Sequence, residues 1–153
     1  MIDARLHVQG EYMKKMIFLA ALVAVGGCTS VKVKPARSIE QGTQVCIVNN
    51  PKVIVEGFVD VVREGFSRHG LPTRLVNENE ATSCTVTLTY TALRSWDFSP
   101  YLSHAELHLW KNGLQIGSAE YHLRGKGGLS LAKWEGVKSK MAPVVDQLLA
   151  GVH

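Results

Sequence analysis

The sequence predicts an α+β domain, a two-layer sandwich in which a mainly antiparallel sheet of about five strands carries two helices on one face. The predicted order is β-α-β-β-β-β-α. From Cys84 to Ala92 apolar residues alternate with threonines, which is typical of a strand with one buried face. Asn112-Gly113 is a strong signal for a two-residue hairpin turn. Apolar residues recur at helical spacing in the stretches before His69 and after Leu129.

The first half of the domain begins with a strand followed by a helix. The β-branched run from Thr43 to Val48 predicts a buried strand. Asn50 is a good N-cap and Pro51 a good first helical residue, so we expect a helix from there to His69. A second strand is predicted over 71–76 and a polar loop over 77–83. The threonine-alternating strand follows and predicts a solvated sheet face.

A hairpin is predicted in the second half of the domain. The segment 94–103 contains Trp96, Asp97, Pro100 and Tyr101, which predicts an irregular loop. The hairpin then joins 104–110 to 115–123.

The turn sets the predicted register of this hairpin. Lys111 opposite Leu114 places Leu107 opposite Ser118. The other face then holds His104, Glu106, His108, Trp110, Ala119 and Tyr121.

A glycine-rich loop and a helix end the predicted domain. The loop covers 124–128 and the helix 129–149. Pro143 lies inside this helical pattern, so we expect a kink or a restart there.

Residues 14–28 have the pattern of a bacterial lipoprotein signal. Lys14-Lys15 precedes an apolar run from Met16 to Val25, and Gly26-Gly27-Cys28 follows. Ten residues rising about 1.5 Å each reach only about half of a ~30 Å hydrocarbon core, which disfavours a permanent transmembrane helix. The stretch from Val25 to Cys28 resembles the lipobox of bacterial lipoproteins. The alternative is an uncleaved hydrophobic N-terminus with an incidental cysteine.

This signal divides the chain into three parts. We expect residues 1–27 to be a signal peptide with Met13 as the true start, 28–41 a lipidated flexible tether, and 42–153 a single domain. Cys28 is the expected attachment site for palmitate and other acyl chains, which anchor the protein to the membrane. Thr29 stands where lipoproteins of the inner membrane carry Asp, so the resemblance implies the periplasmic face of the outer membrane.

The two remaining cysteines, Cys46 and Cys84, predict a disulfide in an oxidising compartment. Closing a loop of this length stabilises a protein by about 4 kcal/mol in the chain-entropy model. A metal site with two cysteines is the rival interpretation, and it lacks the C-x-x-C spacing of structural zinc sites.

The charge balance argues against nucleic acid as a partner. The full chain has 17 Lys and Arg against 13 Asp and Glu, and removing residues 1–27 leaves 14 against 11. Proteins that bind nucleic acid show a stronger and more clustered basic excess. Anionic lipopolysaccharide is a partner that this mild excess permits.

No catalytic, metal or cofactor site is predicted. On a strand His104 and His108 lie about 13 Å apart, too far to share one ion, so His104-x-Glu106-x-His108 is interpreted as a polar sheet face. The RGKGG loop lacks the spacing of a phosphate-binding loop. With Cys46 and Cys84 bonded and no G-x-S-x-G elbow, the sequence offers no candidate for nucleophilic hydrolysis, and we expect a protein that is not an enzyme.

A basic, aromatic-flanked surface is the candidate binding site. Basic residues are dense after the predicted hairpin, and aromatic residues lie in the loop before it. The other interpretation is a solvated helix face. The candidate residues are Trp96, Tyr101, Arg124, Lys126, Lys133, Lys138 and Lys140.

Several stretches from Cys46 to Leu149 carry a family resemblance, among them CIVNNPKV, FSRHG, TYTALRSWD, YLSHAELHLWKNGLQIGSAEYHLRGKGG and KWEGVKSKMAPVVDQLL. They resemble the small proteobacterial outer-membrane lipoproteins first named from a Shewanella locus, the Sbal-type lipoproteins. The resemblance implies a secreted lipoprotein and no catalytic activity. The element order is also similar to small periplasmic assembly lipoproteins, such as the lipopolysaccharide-translocon plug and the curli-secretion component.

Together these features predict an outer-membrane-anchored periplasmic lipoprotein that acts as a non-catalytic interaction or envelope-assembly module with a protein partner. The alternative is a binder of lipopolysaccharide or peptidoglycan through the basic surface.

Overall fold

Six strands and three helices form the domain in a computed structural model, which describes residues 29–127 and 131–153. Side chains are described for these residues except 126, 127, 131 and 132. The predicted signal peptide and Cys28 lie outside the described residues. The elements are β1 (Thr29–Lys34), β2 (Val45–Val48), α1 (Phe58–Arg68), β3 (Thr73–Val76), α2 (Glu78–Ala81), β4 (Val86–Asp97), β5 (Ser99–Lys111), β6 (Leu114–Leu123) and α3 (Val137–Leu148).

The strands form one mixed sheet with the order β1-β6-β5-β4-β2-β3. The four strands β1, β6, β5 and β4 pair antiparallel, whereas β2 pairs parallel with both β4 and β3. This mainly antiparallel α+β architecture confirms the predicted fold class. Strand β1 and the short helix α2 were not in the predicted order.

Helices α1 and α3 pack on each other and cover one face of the sheet. Val62 and Phe66 of α1 and Val145 of α3 are almost completely buried, as are Leu88 and Leu107 of the sheet. Neither α1 nor α3 covers the opposite face, which we call the helix-free face, and the polar side chains of β4, β5 and β6 lie there.

The segment predicted as a flexible tether is part of the fold over residues 29–41, which corrects that prediction. Thr29–Lys34 pairs along β6 as an edge strand. Ala36 is 1% exposed and its N–H donates to the Leu148 carbonyl at 2.7 Å. Ile39 is buried as well. The alternation of Val31 and Val33 with lysines favours a strand here, because an edge strand needs only one apolar face.

Helix α1 begins at Phe58, seven residues after the predicted start at Pro51. Asn50 lies in the turn after β2, where its Oδ1 accepts the Lys52 N–H, and it does not cap α1. Its backbone N–H donates to the Tyr90 hydroxyl, and its side-chain amide donates to the Tyr90 carbonyl at 2.9 Å. Gly57 provides the entry to the helix with a φ of 70°.

The predicted irregular loop 94–103 is wrong. Strands β4 and β5 continue through it and pair down to Asp97 opposite Ser99, so that Phe98 alone forms the turn. The register shifts between Leu93 and Arg94, which leaves Ser103 without a partner residue on β4. This bulge allows the long hairpin to bend.

The predicted register of the β5–β6 hairpin holds only next to its turn. Lys111 lies opposite Leu114 as predicted, but a bulge at Ile116 moves every later pair by one residue. Leu107 therefore lies opposite Ala119, not Ser118. A one-residue shift exchanges the faces of β6, so Tyr121 is buried under the helices and not on the polar face.

The C-terminal region forms a 3-10 turn, Leu131–Trp134, followed by α3. Pro143 lies inside α3, and the helix continues through it without a restart. Its ring removes one N–H, which costs the helix a single internal hydrogen bond.

Candidate functional site

The end of the β4–β5 hairpin carries the most exposed aromatic residues among those that the structure describes. Phe98 is 89% exposed and Trp96 is 73% exposed. Trp134, from the 3-10 turn beside the hairpin, is 37% exposed and its ring lies 6.4 Å from that of Phe98. We call Trp96, Phe98 and Trp134 the aromatic tip.

The backbone of the aromatic tip is held in an unusual conformation. Phe98 has a φ of 58°, in the left-handed region that non-glycine residues rarely adopt. No local feature of a phenylalanine side chain favours this conformation. Contacts with the rest of the fold must therefore stabilise the turn.

A clamp from the 3-10 turn supplies these contacts. The Lys133 ammonium donates to Asp97 Oδ2, and the indole N–H of Trp134 donates to the Asp97 carbonyl at 3.0 Å. Lys133 Nζ also lies 4.3 Å from the centre of the Trp134 ring. Because Lys133 is only 5% exposed, this charge is held in place by its partners. The residue before Phe98 is thus fixed at its carboxylate and its carbonyl.

Lys140 supports the same region from inside. Its side chain is 6% exposed, and its ammonium donates to the carbonyls of Leu102 and Lys133. Burial lowers the pKa of the Lys140 ammonium, because desolvation disfavours the charged form. Lys140 thereby joins α3 to both the hairpin and the clamp.

A shallow groove beside the aromatic tip separates the hairpin from the segment before α1. Ile54, which is 61% exposed, and Trp134 both line it. Arg94 and Pro100 of the hairpin also line it. The tip and the groove together make a mixed apolar surface at one end of the sheet.

The predicted basic surface does not exist as one patch, which corrects that part of the sequence prediction. Lys133 and Lys140 are buried, so neither can line an exposed surface. Lys138 is exposed but pairs with Glu64 at 2.7 Å. Tyr101 is 5% exposed and belongs to the core.

The other candidate residues have separate locations. The Arg124 guanidinium contacts the Ser30 hydroxyl at 3.4 Å, at the β1 edge of the sheet. The side chain of Lys126 lies outside the described residues. Of the candidates whose side chains the structure describes, only Trp96 belongs to the exposed aromatic surface.

The predicted Cys46–Cys84 disulfide is present. The two Cα atoms lie 6.2 Å apart and 38 positions separate the residues in the chain. The bond is possible because β2 pairs directly with β4, which places Cys46 beside the start of β4. It ties the parallel part of the sheet to the antiparallel part.

The helix-free face carries a second group of polar residues, the histidine cluster: His104, Glu106 and His108 of β5 with His122 of β6. Glu106 accepts hydrogen bonds from His104 Nε2 at 2.9 Å and from His108 Nε2 at 3.1 Å. The hydrogen bonds from His104 and then from His108 lower the pKa of the Glu106 carboxyl. This arrangement agrees with the polar sheet face expected for the three β5 residues.

Phe98, Ile54 and His122 are not among the residues predicted from the sequence. Phe98 falls in the predicted irregular loop, although an isolated aromatic beside Asp97 and Ser99 is a weak turn signal. The predicted register places Tyr121 opposite His104 and so hides His122. Only the bulge at Ile116 brings the two histidines together.

The described residues contain neither a membrane-spanning helix nor a cluster of three metal-ligating side chains. No helix in 29–127 or 131–153 is long and apolar enough to span a bilayer. In the same ranges no three His, Cys, Asp or Glu side chains are arranged around a common metal position.

Comparisons with known proteins identify a fold relative only. No protein-family model matches the chain, and no curated protein matches it. Among solved structures, the PelC dodecamer from Paraburkholderia phytofirmans superposes with a TM-score of 0.56 at 13% identity, covering 81% of this chain and 98% of PelC. A point variant of the same PelC dodecamer gives the same TM-score at 15% identity, covering 78% and 98%. At this identity the similarity shows a shared fold.

Proposed function

We propose that this chain is a lipid-anchored, non-catalytic interaction module of the bacterial envelope, which docks a protein partner through the aromatic tip. The observation that carries the proposal is Phe98, an 89% exposed aromatic held at a positive φ. Strained residues persist where the surrounding structure over-determines them, and they are concentrated at functional sites. A turn whose backbone is already held loses little backbone entropy on binding, which suits its exposed aromatic residue to anchor an interface.

The neighbouring groove supports a protein as the partner. Ile54 and Trp134 are apolar and exposed, while Arg94 adds a charged group at the margin. Aromatic and Arg residues around an apolar centre are typical of protein interfaces. A second copy of this chain is one such partner, since PelC, which shares the fold, assembles as a dodecamer.

The predicted membrane location fits this role. The lipobox resemblance places Cys28 at the mature N-terminus, and the Cys46–Cys84 disulfide suits an oxidising compartment. Lipopolysaccharide or peptidoglycan binding has less support, because Lys133 and Lys140 are buried and cannot contribute to a basic surface.

Cross-linking in intact Gram-negative cells tests the docking part of this proposal. We expect the full chain to give discrete adducts with itself or with an envelope protein. The double variant Trp96→Ala/Phe98→Ala should reduce their yield by about tenfold or more, since interface hot spots contribute at least about 2 kcal/mol. Leu114→Ala is the matched control, because Leu114 is as exposed as Trp96, at 73%, on the other hairpin. Adducts that survive in the double variant would refute docking at the tip.

Metabolic labelling tests the anchoring part separately. Cells that express the chain and are fed labelled palmitate should yield a labelled protein. The variant Cys28→Ala should carry no label, although the protein remains detectable by immunoblot. A label that persists in Cys28→Ala would contradict the lipid anchor and leave the docking result unaffected.

A further inference from the structure

His104 and His122 are direct partners on adjacent antiparallel strands. Their Nδ1 atoms lie 3.3 Å apart and the two rings are nearly perpendicular, at 71°. His104 is 19% exposed at its side chain, and both residues line a shallow groove on the helix-free face. Two imidazole nitrogens thus face each other at a solvent-accessible position.

Glu106 determines which nitrogen of His104 carries the proton. A carboxylate only accepts hydrogen bonds, so His104 Nε2, at 2.9 Å from Glu106 Oε1, must donate. In the neutral ring Nδ1 is then an acceptor, and in the metal-free protein it accepts the Nδ1–H of His122 at 3.3 Å. A metal ion between the two nitrogens would replace that one proton. A carboxylate behind a histidine is also the arrangement that orients metal-binding imidazoles and raises their basicity.

We propose that His104 and His122 form a binding site for a divalent transition-metal ion, with Glu106 as the positioning residue behind His104. Two nitrogens that each lie about 2.0–2.1 Å from a tetrahedral ion are about 3.3 Å apart, which matches the spacing of the two Nδ1 atoms. Imidazole ligands select Zn²⁺, Cu²⁺ and Ni²⁺ over Mg²⁺ and Ca²⁺.

The neighbouring charges suit a cation held by two histidines. Glu106 contributes one negative charge behind the site, whereas Glu120 on the same face is paired with Lys32 at 3.3 Å. Because no third His, Cys, Asp or Glu of the described residues converges with the pair, water completes the coordination. A site with two protein ligands leaves coordination positions open for an exogenous ligand.

Calorimetric titration of Zn²⁺ tests the site in the purified full chain, kept in detergent, stripped with EDTA and carrying no histidine tag. We expect one Zn²⁺ per chain in the wild type. Both His104→Ala and His122→Ala should weaken binding by at least about tenfold, and Glu106→Gln by about tenfold as a loss of outer-shell support.

His108→Ala is the matched control, because His108 shares the Glu106 carboxylate but does not contact the pair. The affinity of His108→Ala for Zn²⁺ should stay within about threefold of the wild type. This is smaller than the loss of about tenfold that removal of an outer-shell partner causes. An equal loss in His108→Ala would overturn the assignment, as would a wild type that binds no better than His104→Ala/His122→Ala.

Electron paramagnetic resonance with Cu²⁺ provides a readout that does not depend on the folding of a variant. The wild-type chain should show hyperfine coupling to two imidazole nitrogens at one Cu²⁺ per chain. A spectrum with coupling to one nitrogen or none would contradict the paired site. Neither experiment depends on docking at the aromatic tip.

Discussion

The sheet has two long hairpins whose tips are stabilised in different ways. The β5–β6 tip is the turn Asn112-Gly113, with φ values of 50° and 79°, and both residue types adopt such values readily. The β4–β5 tip turns at Phe98, whose φ of 58° has no local cause. One turn is stabilised by its own residues and the other by the clamp of Lys133 and Trp134.

Stability alone does not explain the residue at the β4–β5 tip. A left-handed conformation costs an ordinary L-residue about 1–2 kcal/mol. Phe98 recovers little of this by burial, since it is 89% exposed. A glycine at this position would turn the chain at lower cost but would present no aromatic side chain. The β4–β5 tip therefore exposes an aromatic side chain at a conformational cost, whereas the β5–β6 tip reverses the chain with residues that adopt positive φ readily.

Lys140→Ala should produce the largest change, because it removes the support below the β4–β5 tip. The carbonyls of Leu102 and Lys133 would lose a charged donor inside the protein. We expect the free energy of unfolding to fall by about 2–4 kcal/mol. Urea denaturation followed by tryptophan fluorescence measures this. A change below about 0.5 kcal/mol, the range of ordinary surface substitutions, would show that the β4–β5 tip needs no support from α3.

Lys140 also predicts a pH dependence. Its pKa in the folded protein lies below the ordinary value of 10.5, so between these two values the unfolded chain binds more protons than the folded one. Stability from this group therefore rises with pH as pH approaches 10.5 from below. As the pH rises toward 10.5, the unfolding free energy of the wild type should therefore increase relative to that of Lys140→Met. A difference that stays constant with pH would contradict the lowered pKa.

Lys133→Met should release the clamp while keeping most of the side-chain volume. The Asp97 carboxylate loses its charged partner, and we expect a loss of about 1–3 kcal/mol. Hydrogen exchange provides the sharper comparison of the two tips. Amides of 94–102 should exchange faster in the variant, whereas those of 109–116 should keep their wild-type rates. Equal acceleration at both tips would mean that the clamp acts on the whole sheet.

Gly113→Ala tests the opposite kind of tip. Gly113 has a φ of 79° and a Cβ would meet no atom within 4 Å, so the cost is conformational only. We expect a loss of about 1–2 kcal/mol in the unfolding free energy, without any change in cross-linked adducts. A loss of adducts would place part of the docking surface at the β5–β6 tip.

Phe98→Gly should have the smallest effect on stability and a large effect on docking. Relief of the positive φ, about 1–2 kcal/mol, is offset by loss of the ring contact with Trp134, worth about 0.5–1.5 kcal/mol. The unfolding free energy should thus stay within about 1 kcal/mol of the wild type. Adduct formation in cells should nevertheless fall strongly, which separates docking from folding.

The same contrast explains which parts of the fold could be predicted from sequence. Alternation over 84–92 and the Asn112-Gly113 turn are local patterns, and both predicted their elements correctly. The bulge at Ile116 has no local pattern in the sequence. The Ile116 carbonyl accepts the backbone N–H of Arg37, which is a tertiary contact.

The candidate site was predictable only in part for a related reason. Trp96 is a candidate as an aromatic near a loop, and it is exposed. Lys133 and Lys140 are candidates for their charge, yet each is buried among partners that lie 36 and 38 residues away in the chain. Burial of a lysine depends on such distant partners, so sequence spacing alone does not indicate it.

Site-specific photo-cross-linking in intact cells tests the docking role of the aromatic tip most directly. A photoreactive phenylalanine analogue is placed at position 98 in one sample and at position 114, an exposed site on the other hairpin, in a second sample. We predict a discrete adduct of defined mass from position 98 and none from position 114. Equal labelling at both positions, or no adduct from position 98, would contradict the proposal that the β4–β5 tip is a docking surface.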